Sequence, residues 1–523
     1  MAHFDWQLPD TFNFGRDVVD AIADAEPEKL ALIWCDQSGR EQRFTFRDIS
    51  RRSNQLAALL AAEGVRRGDR VLVMLPRLPQ WQIAMVGCLK LGAVPIPCIE
   101  MLTEKDVQYR VSKAQAVAAI TTAASVGKFA GATGLRARVA VGGAPGWHDF
   151  DQALDTQPTE FTCADTGIED PAIIYFTSGS TGLPKGVTHA SRALYCWRGS
   201  ARDWLDLRPD DLMWCTADTG WSKAGTSILF GPWSQGAAVL FYDGRFDAAE
   251  RLRLIARYRV SVFCGAATEF RHLVNEDLRG ADLGQLRLAV SAGESVNPDI
   301  TRRWQELTGI ALREAYGQTE TLMTVGNAVG QPTREGSMGR PLCGCRMAVL
   351  DPEGRPLPPG ERGQLALALP NPQLMLGYWA EPERTARAFS SHDGVKYFLT
   401  GDLAHRDEEG FLYYDGRVDD IISSAGYRIG PIEVENALQE HPAVTECAVI
   451  GSPDAERGEI VKAFVVLRNG FAPSEALKLE LQEHVKTATA PYKYPRAIEF
   501  RTELPKSAAG KLLRRALRDA EAR

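Results

Sequence analysis

A few short stretches of this 523-residue chain carry residue types that could do chemistry. The densest is Thr177-Ser178-Gly179-Ser180-Thr181-Gly182-Leu183-Pro184-Lys185-Gly186. It offers backbone N–H groups, several hydroxyls and one ammonium to a single small volume, and its glycines let the backbone come close to a ligand. Such a cluster answers the charge of a polyphosphate. It is not the common phosphate loop, because Pro184 precedes Lys185 and Gly186 follows where Ser or Thr is required. Nor is it a serine-nucleophile elbow, since Ser178 stands where the first glycine belongs.

The second stretch is Glu314-Ala315-Tyr316-Gly317-Gln318-Thr319-Glu320. A tyrosine face can stack on a purine, and the hydroxyl and carboxylate beyond it suit phosphate and Mg²⁺. Alone, the run reads equally well as a strand end with a satisfied glutamate. Ser291-Ala292-Gly293-Glu294 is either a plain turn or the border of a ligand at a carboxyl strand end. Tyr397-Phe398-Leu399-Thr400-Gly401-Asp402 sets an acid in a glycine turn, where it can accept from two ribose hydroxyls or simply close the turn. The run Gly416-Arg417-Val418-Asp419-Asp420 to Glu435 falls where the composition changes. Leu504-Pro505-Lys506-Ser507-Ala508-Ala509-Gly510-Lys511 reads by itself as a solvated basic tail.

These residues need a scaffold, and the hydrophobic pattern supplies one. Ala172 to Phe176 is a buried strand leading into the hydroxyl-rich turn. Before it, strands at Leu30–Trp34, Arg70–Leu75, Ala93–Pro97 and Ala116–Ile120 alternate with helices at Ile49–Ala62 and Trp81–Leu91. After it come strands at Leu212–Thr216, Ala237–Tyr242, Val260–Cys264 and Leu286–Ser291, with a helix at Asp247–Tyr258. This rhythm predicts an α/β fold with doubly wound sheets. From about Gly336 short strands with Gly/Pro turns predict a β-rich subdomain, and beyond Asp419 a small α+β unit begins. The expected domains are residues 1–418 and 419–523.

Hydrophobic residues make up 45% and charged residues 24%, ordinary globular values, and the net charge of −7 is spread without a basic stripe. Nucleic acid is therefore an unexpected partner. No apolar run approaches the ~20 residues of a membrane span, and Met1 to Trp6 shows no secretory signal. Ten scattered cysteines without a zinc spacing predict reduced thiols and a cytoplasmic setting. His189 and His272 read as packing or hydrogen-bonding residues.

In order and spacing these motifs resemble the adenylate-forming superfamily of acyl-CoA synthetases, luciferases and peptide-synthetase adenylation domains. The runs around Gly426-Tyr427-Arg428 and Thr489-Ala490-Pro491-Tyr492, with Asp218-Thr219-Gly220-Trp221, look most like the medium-chain acyl-CoA synthetase branch. The resemblance implies a large ATP- and acid-binding domain and a mobile C-terminal domain turning about Asp419. It implies an AMP-forming acid–CoA ligase for a medium-chain, branched or aromatic acid, with ATP, CoA and Mg²⁺.

Residue by residue, it implies ATP contacts from Thr177, Ser178, Gly179, Ser180, Thr181, Gly182 and Lys185. Gly293, Glu294, Glu314, Tyr316, Gly317 and Gln318 would surround the base, Asp402 would bind the ribose, and Arg417 the ribose or phosphate. Thr319 would meet the α-phosphate or acyl carboxylate, Glu320 would hold the metal, and Lys511 would catalyse adenylation. CoA would meet Ala425, Gly426, Tyr427 and Arg428, with Arg457 and Lys486 on its phosphates. Trp221, with residues 222–226, Gly265 and Ala266, would line the acyl pocket. Glu269 would either meet a polar ring substituent or point to solvent. Lysine acetyltransferases and deacetylases acting on Lys511 are implied partners. Two other readings remain open: loading of a carrier protein, and a non-catalytic nucleotide-binding protein.

Overall fold

The computed structural model describes residues 6–177, 183–278, 281–294, 296–420, 422–424, 427–454, 457–489, 491–506 and 512–521, apart from the side chains at 419, 423, 427, 428 and 491. The chain divides into two compact units, Met1–Arg346 with Leu369–Phe389 and Met347–Ala368 with Ser390–Arg523.

In the first unit, a nine-stranded sheet has a parallel centre. Leu30–Asp36, Ala238–Asp243, Leu212–Cys215, Val262–Cys264, Leu288–Ala292 and Leu312–Gln318 lie side by side in that order. Antiparallel strands close both edges. Several central strands are wholly buried, Val262–Cys264 and Leu288–Ala292 among them, as expected of parallel strands covered on both faces. A second, all-parallel sheet runs Val94–Pro97, Arg70–Val73, Ala118–Thr122, Ala137–Val141 and His148–Asp149. Its helix Pro79–Leu91 starts on a proline and ends on Gly92, whose φ of 73° lets its N–H turn back to the Cys88 and Leu89 carbonyls. The α/β class and its doubly wound character are as the sequence predicts.

The strand leading into the hydroxyl-rich turn is Pro171–Thr177, and it pairs antiparallel with Lys185–Ala190, Thr177 opposite Lys185. The turn is thus a hairpin connection, and the helix begins only at Ser191. Val187 to Ala190 are buried side by side, which favours a strand there.

In the second unit, Met347–Leu350, Arg362–Ala368, Val395–Arg406 and Leu412–Arg417 pair antiparallel in that order. A further sheet brings Val444–Asp454, Gly458–Leu467 and Ala497–Arg501 together, and helices Pro431–Glu440 and Glu475–Ala488 share its apolar core. Among the described residues no helix is long and apolar enough to cross a membrane.

Candidate active site

The site grows from the hairpin. Lys185 opens the return strand, and its ammonium donates to Glu320 Oε1 at 2.6 Å and to the Tyr378 hydroxyl at 3.1 Å. That hydroxyl donates in turn to the same carboxylate oxygen at 3.0 Å. The ammonium also stands 4.6 Å from the Tyr378 ring centre. Glu320 is only 6% exposed, so this triangle is a largely buried ion pair whose partners depend on each other.

Glu320 is placed by the turn between Leu312–Gln318 and Leu322–Gly326. The Gln318 N–H donates to Thr321 Oγ1 at 3.1 Å, and Leu322 carries a φ of 58°. Gly317 is required: a Cβ there would sit 2.0 Å from the Leu322 carbonyl oxygen. His189 lies fully buried beneath the turn, and its Nε2 donates to the Thr319 carbonyl at 2.6 Å. Burial pushes its pKa down to about 4, so it is a neutral hydrogen-bonding residue, as read from the sequence. The Thr319 hydroxyl lies 3.2 Å from that of Ser222.

Around this centre, Gly293 follows its strand with a φ of 95°. Glu294 accepts from the Thr268 N–H at 3.1 Å, and Glu314 accepts from the Val296 N–H at 3.1 Å. Burial raises the Glu314 carboxyl to about 7. Tyr316, Gly317 and Gln318 lie on the same strand as Glu314. Of the expected acyl-pocket residues, Trp221 donates its N–H to the Asp218 carbonyl at 3.2 Å and Gly265 donates to Val290 at 3.1 Å. The Ala266 N–H donates to Glu269 at 3.2 Å, and Glu269 also accepts from Thr216 and lies 3.5 Å from Arg251. Glu269 is thus taken up by protein groups and does not point to solvent.

In the second unit, Arg417 donates to Asp402 at 3.1 Å, the two standing opposite each other on paired strands, with Asp402 4% exposed. Asp419 lies in the short turn Val418–Asp420. Its neighbour Asp420 meets Arg518 at 2.7 Å and Arg514 at 3.7 Å, and Arg514 meets the buried Glu435 at 2.6 Å. The Arg457 N–H donates to Asp454 at 2.9 Å, and Lys486 pairs with Glu483 at 2.9 Å. Ser178, Gly179, Ser180, Thr181, Gly182, Ala425, Gly426 and Lys511 lie outside the described residues, as do the side chains of Asp419, Tyr427 and Arg428.

Residues 19–379 match the model of the AMP-binding enzyme family, and residues 433–511 that of the AMP-binding enzyme C-terminal domain. The chain belongs to the AMP-binding enzyme family. Within it, the mouse (Mus musculus) acyl-coenzyme A synthetase ACSM3, mitochondrial, is 41% identical over 99% of this chain and 92% of its own length. An anthranilate CoA ligase, AuaEII, solved with anthranoyl-AMP, superposes with a TM-score of 0.90 at 32% identity, covering 98% of both chains. A benzoate CoA ligase from Burkholderia xenovorans LB400 gives 0.86 at 29% identity, over 97% of this chain and all of its own. The resemblance read from the motifs therefore extends over the full length of this AMP-binding enzyme.

Sequence reasoning missed one polar group of the site, Tyr378, and placed Ser222 and Lys223 only as part of the acyl-pocket run 222–226. Tyr378 has no local signal, because its partners are remote in sequence. Within that run Lys223 stands out as the lone charge between Asp218 and Asp243.

Proposed function

We propose that this chain is an ATP-dependent acid–CoA ligase that first joins a carboxylic acid to AMP and then passes the acyl group to CoA. The observation that carries this reading is the Lys185–Glu320–Tyr378 triangle beside the Thr319–Ser222 hydroxyl pair. A cation, a carboxylate and neutral donors gathered together suit a polyphosphate and an acid, which supports this reading for a chain of the AMP-binding family. The relatives named for anthranilate and benzoate support an aromatic acid, and the one named an acyl-coenzyme A synthetase supports a wider acyl class.

The chemistry is one of charge and position. An acid oxygen forms a bond to the α-phosphorus while the bond to the β-bridging oxygen breaks, and its electron pair leaves with pyrophosphate. The thiol sulfur of CoA then bonds the acyl carbon, the carbon–oxygen bond to AMP breaks, and the thiol proton passes to solvent. Both partners of the first step are anions, so Lys185 lowers their repulsion. Holding them in line contributes up to about 7–11 kcal/mol. Thr319 orients the acid or α-phosphate, and its carbonyl is fixed by neutral His189.

Among the described residues no three metal-ligating side chains converge, so the donor set fits an ion held by one carboxylate and substrate phosphates, the usual habit of Mg²⁺. Glu320 would hold that ion, which supplies further neutralisation of phosphate charge.

Asp402 is assigned to the ribose, Arg417 to ribose or phosphate, Asp419 to the pivot of the segment 419–523, and Ala425, Gly426, Tyr427, Arg428, Arg457 and Lys486 to CoA. Lys511 is assigned to adenylation, so Lys511→Ala removes acid-dependent ATP–pyrophosphate exchange and spares CoA attack on supplied acyl-adenylate. Equal loss of both half-reactions refutes that role. Acetylation of Lys511 would remove its charge, which mass spectrometry before and after deacetylation tests. The cell compartment assigned is the cytoplasm.

AMP release from ATP across a carboxylic-acid panel, with and without CoA, tests the whole reading. Acid- and CoA-dependent AMP is the expected result, and Lys185→Ala should lower it by about 10²–10³. No acid-dependent AMP with any member sinks it.

A further inference from the structure

Lys223 stands one residue beyond Ser222, whose hydroxyl faces Thr319. Its half-buried ammonium donates to the Ala292 carbonyl at 3.0 Å and to the Gly265 carbonyl at 3.4 Å. These carbonyls lie at the carboxyl ends of neighbouring strands, where open α/β sheets bind their ligands. An ammonium has three donors, and two are used by the described residues.

The carboxylates nearest in field do not close an ion pair with it among the described residues. Glu269 serves Thr216, the Ala266 N–H and Arg251, and Glu294 serves the Thr268 N–H. Burial works against the charge on Lys223, while the Cys264 and Cys215 sulfurs with Glu294 and Glu269 outweigh that effect and keep it protonated. The position therefore holds a charged donor with one direction unused among the described residues, in the run 222–226 that the ligase reading assigns to the acid.

We propose that Lys223 is a specificity-determining residue that donates to a neutral oxygen on the acid, a hydroxyl or keto group within a few bonds of the carboxylate. The inference rests on the acid–CoA ligase reading. A second carboxylate on the substrate is disfavoured, because Glu294 and Glu269 already place negative charge around the ammonium. What is missing is an acceptor, not another charge. Leaving a half-buried charged donor unmade is expensive, so acids without the oxygen should be selected against by about 10- to 100-fold.

The test compares kcat/KM for benzoate with its 2-, 3- and 4-hydroxy derivatives, and for hexanoate with its 3-, 4- and 5-oxo derivatives. The expected result is that at least one oxygenated isomer exceeds its parent by about 10- to 100-fold, and that Lys223→Met brings this ratio to near one whatever the absolute rates. Lys223→Gln, which keeps a donor without the charge, should restore part of the ratio. A wild type that prefers both parents, or an unchanged ratio in Lys223→Met, overturns the proposal. So does proportional loss of all acids in Lys223→Met, because a lysine that merely ties the strand ends together would act on every acid alike. AMP release with the parent acids but without the preference refutes this inference alone. No acid-dependent AMP at all refutes the ligase reading instead.

Discussion

Buried His189 and half-buried Glu314 are titratable groups of the first unit, and their shifts run in opposite senses. Burial lowers His189 from its ordinary 6.5 to about 4, so the folded protein refuses a proton that the unfolded chain accepts below 6.5. Its contribution is present above 6.5 and is lost as pH falls toward 4, about 3 kcal/mol in all. Burial raises Glu314 from 4.5 to about 7, so here the folded protein holds a proton that the unfolded chain has released. That contribution is present below 4.5 and is lost as pH rises through 7. Between 4.5 and 6.5 the two slopes oppose each other. Denaturant unfolding followed against pH should show Glu314→Gln gaining stability with rising pH in this window more steeply than wild type, and His189→Gln losing it. Parallel profiles for all three proteins would show that neither group titrates as described. The motif around Glu314 was legible in the sequence, but its protonation was not. Nothing local to a glutamate announces the burial that raises its pKa.

At the scale of elements, the turn carrying Glu320 depends on one missing side chain. Gly317→Ala would drive a methyl group into the Leu322 carbonyl, and backbone cannot yield as a flexible side chain can. The expected effect is a destabilisation of more than about 2 kcal/mol with loss of acid-dependent AMP release. Wild-type activity in that variant would mean the turn can open without disturbing Glu320. The sequence showed most of the helices and parallel strands, because apolar runs and caps are local properties. It did not show that Lys185 begins a strand, since the pairing of Thr177 with Lys185 is read across a turn rather than along the chain. Tyr378 escaped for the same reason on a larger scale: its bonds to Lys185 and Glu320 join three separate elements. Lys223 was visible as a lone charge in an uncharged stretch, but its two carbonyl partners come from other strands.

At the scale of the molecule, the second unit owes part of its cohesion to a buried carboxylate. Glu435 is held by Arg514 at 2.6 Å and by the Val449 N–H at 2.8 Å, while Arg514 and Arg518 also reach Asp420. Helix Arg514–Glu521 is thereby fastened to the turn that holds Asp419. Arg514→Met strands a buried charge and should destabilise this unit by about 3–5 kcal/mol. The double variant Arg514→Met/Glu435→Leu removes both charges and should recover much of that loss. Thermal unfolding of the three proteins checks it, and a single variant as stable as wild type would show that the pair is idle.

The cysteines give the protein its own clock for unfolding. All ten thiols are free; Cys163 and Cys343 are half-buried and the other eight are buried. An alkylating reagent in native buffer should therefore reach no more than those two, and each opening of the core would add masses in steps. The order in which labels arrive would rank the regions of the chain by how readily they breathe. Cys447 would report the second unit, and Cys35, Cys88, Cys98, Cys196, Cys215, Cys264 and Cys345 the first.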